Sequence, residues 1–152
     1  MAKPRLETGS TLHGFLIGDT GGMAMLWKVT RPDLDGPLVM KVPLLFEGED
    51  PSAIVSFEME QMIMPRLSGP HVPKFIAAGD FTVQPYIVME YLEGQPLLKR
   101  LKEVPLPYDE VVRIATRVAT ALDDIHRQNV IHLDVKPSNI MFRPTGEAVL
   151  IG

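Results

Sequence analysis

Four side chains with chemistry to offer, His132, Asp134, Lys136 and Asn139, fall within the stretch VIHLDVKPSNIMF, positions 130–142, with apolar residues on both sides. A carboxylate such as Asp134 acts as a base or holds a metal ion. The Lys136 ammonium is a point charge suited to a phosphate, and the Asn139 amide is a neutral metal ligand. Phosphoryl transfer needs those parts: a group that orients the hydroxyl, a charge that offsets what develops on the phosphoryl oxygens, and a ligand for Mg²⁺. The competing reading is a tight turn, since Lys-Pro-Ser-Asn has turn chemistry of its own.

A loop of that kind has to be held by a frame. The chain has 152 residues, enough for one domain or for two small lobes sharing a cleft. Hydrophobic content of 45%, charged content of 22% and a net charge of −4 fit a globular protein without broad attraction to nucleic acid or anionic membrane. Cysteine is absent, which excludes disulfides and thiolate metal sites and suits a cytoplasmic setting. The opening MAKPRLETGS has no apolar core of a signal peptide, and no apolar run approaches the roughly 18 residues of a membrane helix.

The first half reads as strands. TLHGFLIG (11–18) leads into the glycine-rich GDTGGMA (18–24), then MLWKVT (25–30), the turn RPDLDGP and LVMKVPLL (38–45), an antiparallel meander. The period then becomes helical, with Ile54, Phe57, Met59, Met62 and Ile63 predicted to form the apolar face and Pro65 to end or kink the helix. PKFIAAGDF and QPYIVMEYL restore strands. Beyond EGQP (93–96) the chain turns helical, first over 96–103. A longer helix follows, with Val111, Ile114, Val118, Leu122 and Ile125 on one face behind PYDE. A turn at RPTGE and a final strand AVLI close it. The expected order is a β-rich lobe with one helix, a linker near residue 93 and a helical lobe, with a cleft between the lobes.

HLDVKPSN resembles the catalytic loop of eukaryotic-type (Hanks-type) serine/threonine protein kinases, in a bacterial-like form. The family's other segments follow the same order here. LVMK is similar to the strand ending in the ATP-contacting lysine, which makes Lys41 that residue. FEMEQMIMPRL supplies Glu60 for the ion pair with Lys41, chosen over Glu58 by the register from Glu60 to Leu67. YIVMEYLEG resembles the segment that crosses between lobes, with Met89 as gatekeeper and the backbone of Glu90 and Leu92 on the adenine edge. GDTGGMA resembles the phosphate-covering loop. The resemblance implies an α+β, protein kinase-like fold with an antiparallel β-rich N-lobe over about 12–92 and a partial helical C-lobe over about 93–152. It also implies ATP and Mg²⁺ as cofactors. Asp134 and Lys136 are then catalytic and Asn139 is a metal ligand. Ile17, Gly21, Gly22, Leu26, Val39, Lys41, Glu60, Met89, Glu90, Leu92 and Met141 become the nucleotide-binding set. Lys136-Pro137 points to serine/threonine acceptors on protein substrates.

Each residue also has a bland reading. Lys41 can cap a strand with its charge in solvent, although its place between Met40 and Val42 favours a directed role. Gly21 and Gly22 can form an ordinary hairpin turn, which a phosphate-covering loop also is. The nine methionines read as core filler. His132 is expected to hold the loop backbone, His126 to be structural, and His13 and His71 carry no signal.

Some positions depart from the family pattern. In the register set by Leu26, the phosphate-loop glycines fall on Asp19, Gly21 and Ala24, so only the middle one is glycine, unless Gly18 takes the first place by a one-residue shift; Asp19 would repel phosphates. Leu133 stands where many of these kinases carry an arginine that pairs with a phosphorylated activation loop. Gly152 occupies the place of the aspartate in Asp-Phe-Gly, so the resemblance implies a kinase domain truncated just before that motif, with the activation segment and later helices expected to be absent from residues 1–152. Residues 1–152 alone are therefore expected to transfer no phosphate above an Asp134→Asn control. Self-association or a partner chain is expected through the uncovered C-lobe face. Two alternatives stand beside this reading: a pseudokinase-like fragment that binds nucleotide or a partner, and a small-molecule phosphotransferase of the aminoglycoside type, whose loop usually lacks the lysine.

Overall fold

The computed structural model describes residues 11–12, 15–20, 26–43, 51–79, 85–94 and 96–151. The chain divides into two units, Met1–Pro65 with Phe75–Tyr91, and Arg66–Lys74 with Leu92–Gly152.

The first unit is built on an antiparallel sheet. In chain order its strands are β1 (Thr11–Leu12), β2 (Phe15–Thr20), β3 (Leu26–Thr30), β4 (Leu38–Lys41), β5 (Phe75–Gly79) and β6 (Tyr86–Glu90). They lie side by side as β1-β2-β3-β4-β6-β5. TLHGFLIG, expected as one strand, is two: Thr11 pairs with Leu16 and Leu12 with Phe15.

Residue alternation sorts the sheet into faces. Val29, Leu38, Met40, Val42, Tyr86 and Val88 are buried in one cluster. Leu26, Val39, Lys41 and Met89 take the opposite face, because Leu26 pairs with Lys41 and Val39 with Met89 in the ladders. One face thus anchors the sheet, while the other buries Ile87 and leaves Leu26, Val39, Lys41 and Met89 partly exposed.

Helix α1 (Pro51–Ile63) departs from the expected apolar stripe. Phe57 is buried, but Ile54, Met59 and Met62 are exposed, Met62 to 71%. Helical geometry explains the difference: Met59 sits about 200° round the helix from Phe57, so the apolar residues divide between two sides, Ile54 with Phe57 and Met59 with Met62 and Ile63. The helix is oriented instead by a polar contact, with Gln61 Nε2 donating to the carbonyls of Gly79 and Tyr86. It stops at Ile63, and Pro65 falls in the 3-10 turn Met64–Arg66 that follows.

Gly79 is required by its neighbour. A Cβ at this position would lie 2.1 Å from the ring of Tyr86, its ladder partner and itself buried. Gly79→Ala is expected to destabilise the protein by about 1–3 kcal/mol through overpacking, read as a lower urea midpoint at unchanged slope.

The second unit contains the 3-10 helix Leu97–Glu103, helix α2 (Tyr108–Arg127), the 3-10 turn Pro137–Asn139, β7 (Ile140–Phe142) and β8 (Ala148–Leu150). Asp109 and Glu110 at the start of α2 and His126 and Arg127 at its end suit the helix dipole. Arg100 bonds to Glu110 and Glu103, which together raise its pKa. The α2 face differs from expectation at its start, where Val111 is 48% exposed. The core formed with Val72, Ile140, Ala148 and Leu150 meets only the C-terminal half of the helix, at Val118, Ala121, Leu122 and Ile125.

Residues 66–74 precede β5 yet fold with this second unit. Gln128 exchanges hydrogen bonds with the backbone of Ser68, Arg143 donates to the carbonyls of Pro70 and Val72, and the Leu150 N–H donates to the carbonyl of His71. Among the described residues, no helix is long and apolar enough to cross a membrane.

Candidate active site

In the first unit the strand β4 ends on Lys41, directed to the half-exposed face by the alternation that buries Met40. Its ammonium donates to both carboxylate oxygens of Glu60, at 3.0 and 2.9 Å, and the two side chains keep only 20% and 22% of their surface. Glu58, the other candidate on α1, is exposed. Gln61 bonds to the sheet one residue after Glu60 and fixes the rotation of the helix that this contact needs. Sequence reasoning missed Gln61, since nothing in its spacing points to partners in β5 and β6.

Around Lys41 on the same face lie Leu26, Val39 and Met89, all half-buried. Glu90 closes β6 opposite Leu38. Ile17 pairs with Val29 in the β2–β3 ladder, which shifts register before Thr20. Gly21, Gly22 and Ala24 lie outside the described residues, so the phosphate-covering role assigned to this loop has no geometry to report. Gly152 lies outside them too.

In the second unit the loop 131–139 gathers the other candidates. Lys136 Nζ lies 3.5 Å from Asp134 Oδ2. Asn139 Nδ2 donates to the same carboxylate oxygen at 3.1 Å and to the Asp134 carbonyl at 3.0 Å. Both of those partners accept hydrogen bonds only, so the amide nitrogen has to face them and Oδ1 faces the other way. His132 braces the loop. Its Nδ1 accepts from the Asp134 N–H at 3.1 Å, so Nε2 carries the proton donated to the Ile151 carbonyl at 2.9 Å. The Asn139 carbonyl in turn accepts from the Ile151 N–H at 2.9 Å. Leu133, at the position between His132 and Asp134, has φ of 66° and is 89% exposed. Met141 sits in β7 opposite Val149, with Pro96 bridged to it on the other side. Leu92 is half-buried.

The donor set on the loop is oxygen: the Asn139 amide and the Asp134 carboxylate. Hard oxygen ligands in small number suit Mg²⁺, which keeps waters and substrate phosphates in its shell. Among the described residues no group of three or more His, Cys, Asp or Glu forms a self-sufficient metal site. A metal that relies on a bound phosphate fits; a structural ion held by protein alone does not.

A sequence model of the protein kinase domain matches residues 19–151. The chain belongs to the protein kinase domain family. Among curated relatives of this kinase-family chain, the serine/threonine-protein kinase pkn3 of Myxococcus xanthus is 38% identical over 133 residues, covering 85% of the chain and 24% of the relative. The serine/threonine-protein kinase PknK of Mycobacterium tuberculosis is 34% identical over 133 residues, covering 86% of the chain and 12% of the relative. The chain thus spans a quarter or less of the length of these curated kinases. In three dimensions it is similar to the crystal structure of the Mycobacterium tuberculosis PknI kinase domain, with a TM-score of 0.78 and 29% identity over 97% of this chain and 62% of that one. These relatives are protein kinases of the bacterial serine/threonine group, and neither the pseudokinase nor the small-molecule phosphotransferase reading gains support from them.

Proposed function

We propose that residues 1–152 contribute the nucleotide-binding and catalytic-loop part of a kinase domain that binds ATP with Mg²⁺ and transfers the γ-phosphoryl group to serine or threonine hydroxyls of protein substrates. Residues 1–152 alone are expected to transfer none above an Asp134→Asn control. The observation that carries this reading is the Lys41–Glu60 ion pair, in which an ammonium at a strand end is held by both oxygens of a helix carboxylate. Such a pair sets a cation where the α- and β-phosphates bind, and it has to be formed for transfer.

The remaining roles follow from the chemistry of each group. Asp134 accepts the proton of the substrate hydroxyl. Lys136 offsets charge on the moving phosphoryl group, and Asn139, through Oδ1, holds the cation. Bound there with Asn139 as a protein ligand, Mg²⁺ would neutralise the charge that develops on the phosphoryl oxygens. Leu26, Val39, Met89 and Met141 offer apolar surface to the base, with Ile17, Gly21 and Gly22 covering the nucleotide. The backbone of Glu90 and Leu92 reads the adenine edge. His132 keeps the Asp134 backbone in place without moving protons. Exposed apolar side chains at Val111, Val112, Ile131 and Val135 support contact with further polypeptide, a second copy or a partner. The lack of cysteine favours a cytoplasmic setting.

The test is transfer from γ-labelled ATP, by a version extended with a kinase activation segment and C-terminal helices, to peptides that differ only in a serine, threonine or tyrosine acceptor. Mg²⁺-dependent label on the serine and threonine peptides is expected. Label on tyrosine alone, or on an aminoglycoside and no peptide, would overturn the assignment.

A further inference from the structure

We propose that Lys28 is a positioning residue for nucleotide binding, acting by clamping the ring of Tyr91 and so fixing the backbone that follows β6. This rests on the nucleotide-binding reading above.

Lys28 stands opposite Val39 in the β3–β4 ladder, and Val39 stands opposite Met89 in the β4–β6 ladder. The three form one row across the sheet, on the face that also carries Leu26 and Lys41. The last ladder pair of β6 is Leu38 with Glu90, so Tyr91 is the first residue beyond the strand. Its backbone has no ladder partner to hold it. The ring is held instead: Lys28 Nζ sits 4.9 Å from its centroid, within the range of a cation–π contact. Two strand spacings separate β3 from β6, about 10 Å, a gap that the lysine side chain and the Tyr91 ring close between them.

The consequence is local and directional. Glu90 and Leu92 supply the backbone expected at the adenine edge, and Tyr91 lies between them, just past the last ladder pair of β6. A cation over the Tyr91 ring restricts the same backbone before the ligand arrives, so less ordering remains to be done on binding. Lys28 itself touches neither the reacting atoms nor, in this account, the nucleotide. Its loss should weaken nucleotide affinity and leave the chemical step alone.

The experiment compares the dissociation constant of a non-hydrolysable ATP analogue, by calorimetry, among wild type, Lys28→Met, Lys28→Arg, Tyr91→Leu, Tyr91→Phe and the Lys28→Met/Tyr91→Leu double variant, with thermal midpoints measured on each. Lys28→Met and Tyr91→Leu are each expected to weaken binding by about two- to fivefold, the value of an exposed cation–π contact. The double variant should be no weaker than the worse single one, and Lys28→Arg and Tyr91→Phe should restore affinity. Equal affinity of wild type and Lys28→Met would overturn the proposal. Additive losses would overturn it as well, since they would make Lys28 a separate ligand contact. Weakened binding that merely follows the thermal midpoint, in Lys28→Arg as in Lys28→Met, would reduce the pair to a structural contact and also overturn it. Wild type that binds no analogue would overturn this proposal together with the nucleotide-binding reading; wild type that binds with indifferent variants overturns this proposal alone.

Discussion

Replacing Asp134 by asparagine, in a version extended by a kinase activation segment and C-terminal helices, is expected to lower phosphoryl transfer by about 10²- to 10⁴-fold, the usual worth of a positioned general base. The substitution keeps the shape of the side chain and removes its capacity to take a proton. Asn139 Nδ2 still finds an acceptor in the Asp134 backbone carbonyl, at 3.0 Å, so the loop keeps its internal bond. His132 still accepts the N–H of residue 134, because that contact uses backbone and not the carboxylate. The loss should therefore fall on the rate at saturating ATP and leave the affinity for an ATP analogue unchanged. Initial rates of serine- or threonine-peptide phosphorylation, measured beside calorimetric affinity, separate the two. A variant that binds nucleotide and transfers phosphate like wild type would remove Asp134 from the chemistry.

Lys41→Ala is expected to weaken binding of the ATP analogue by about 10- to 100-fold, corresponding to the 1.5–3 kcal/mol of a hydrogen bond to a charged group. The pair with Glu60 is mostly withdrawn from solvent, with 20% and 22% of the side chains exposed, so the ammonium is held in place before a phosphate arrives. Glu60→Gln should do less harm, because it leaves Lys41 present but loosely placed. The double variant should be close to Lys41→Ala alone, since Glu60 acts only through the lysine. Thermal midpoints belong beside these titrations: Lys41→Ala leaves a half-buried carboxylate without its cation, and part of any loss of stability arises there.

How much of this was readable from sequence depends on how far apart the cooperating residues lie. Asp134, Lys136 and Asn139 are close in the chain, and their meeting in one loop was legible without a fold. The facing of Lys41 was legible too, from the alternation in LVMK. The choice of Glu60 over Glu58 was not legible from hydrophobicity, because apolar residues surround α1 and no face declares itself; the family register decided it. The second-unit membership of residues 66–74 depends on bonds to Gln128, Arg143 and Leu150, each 60 or more positions away or nearly so, which no local pattern encodes. Lys28 and Tyr91 were invisible for the same reason: their meeting is a product of strand order. The misread face of α1 came from treating recurrence of apolar residues as a stripe without following it round the helix.

The measurement that bears most directly on the central claim is a calorimetric titration of the protein with a non-hydrolysable ATP analogue, with and without Mg²⁺, beside Lys41→Ala. Saturable binding is expected, strengthened by Mg²⁺ and weakened at least tenfold by Lys41→Ala, in line with the loss of a charged hydrogen bond. Absence of binding by a folded wild-type protein, or binding indifferent to both the cation and Lys41, would contradict that claim.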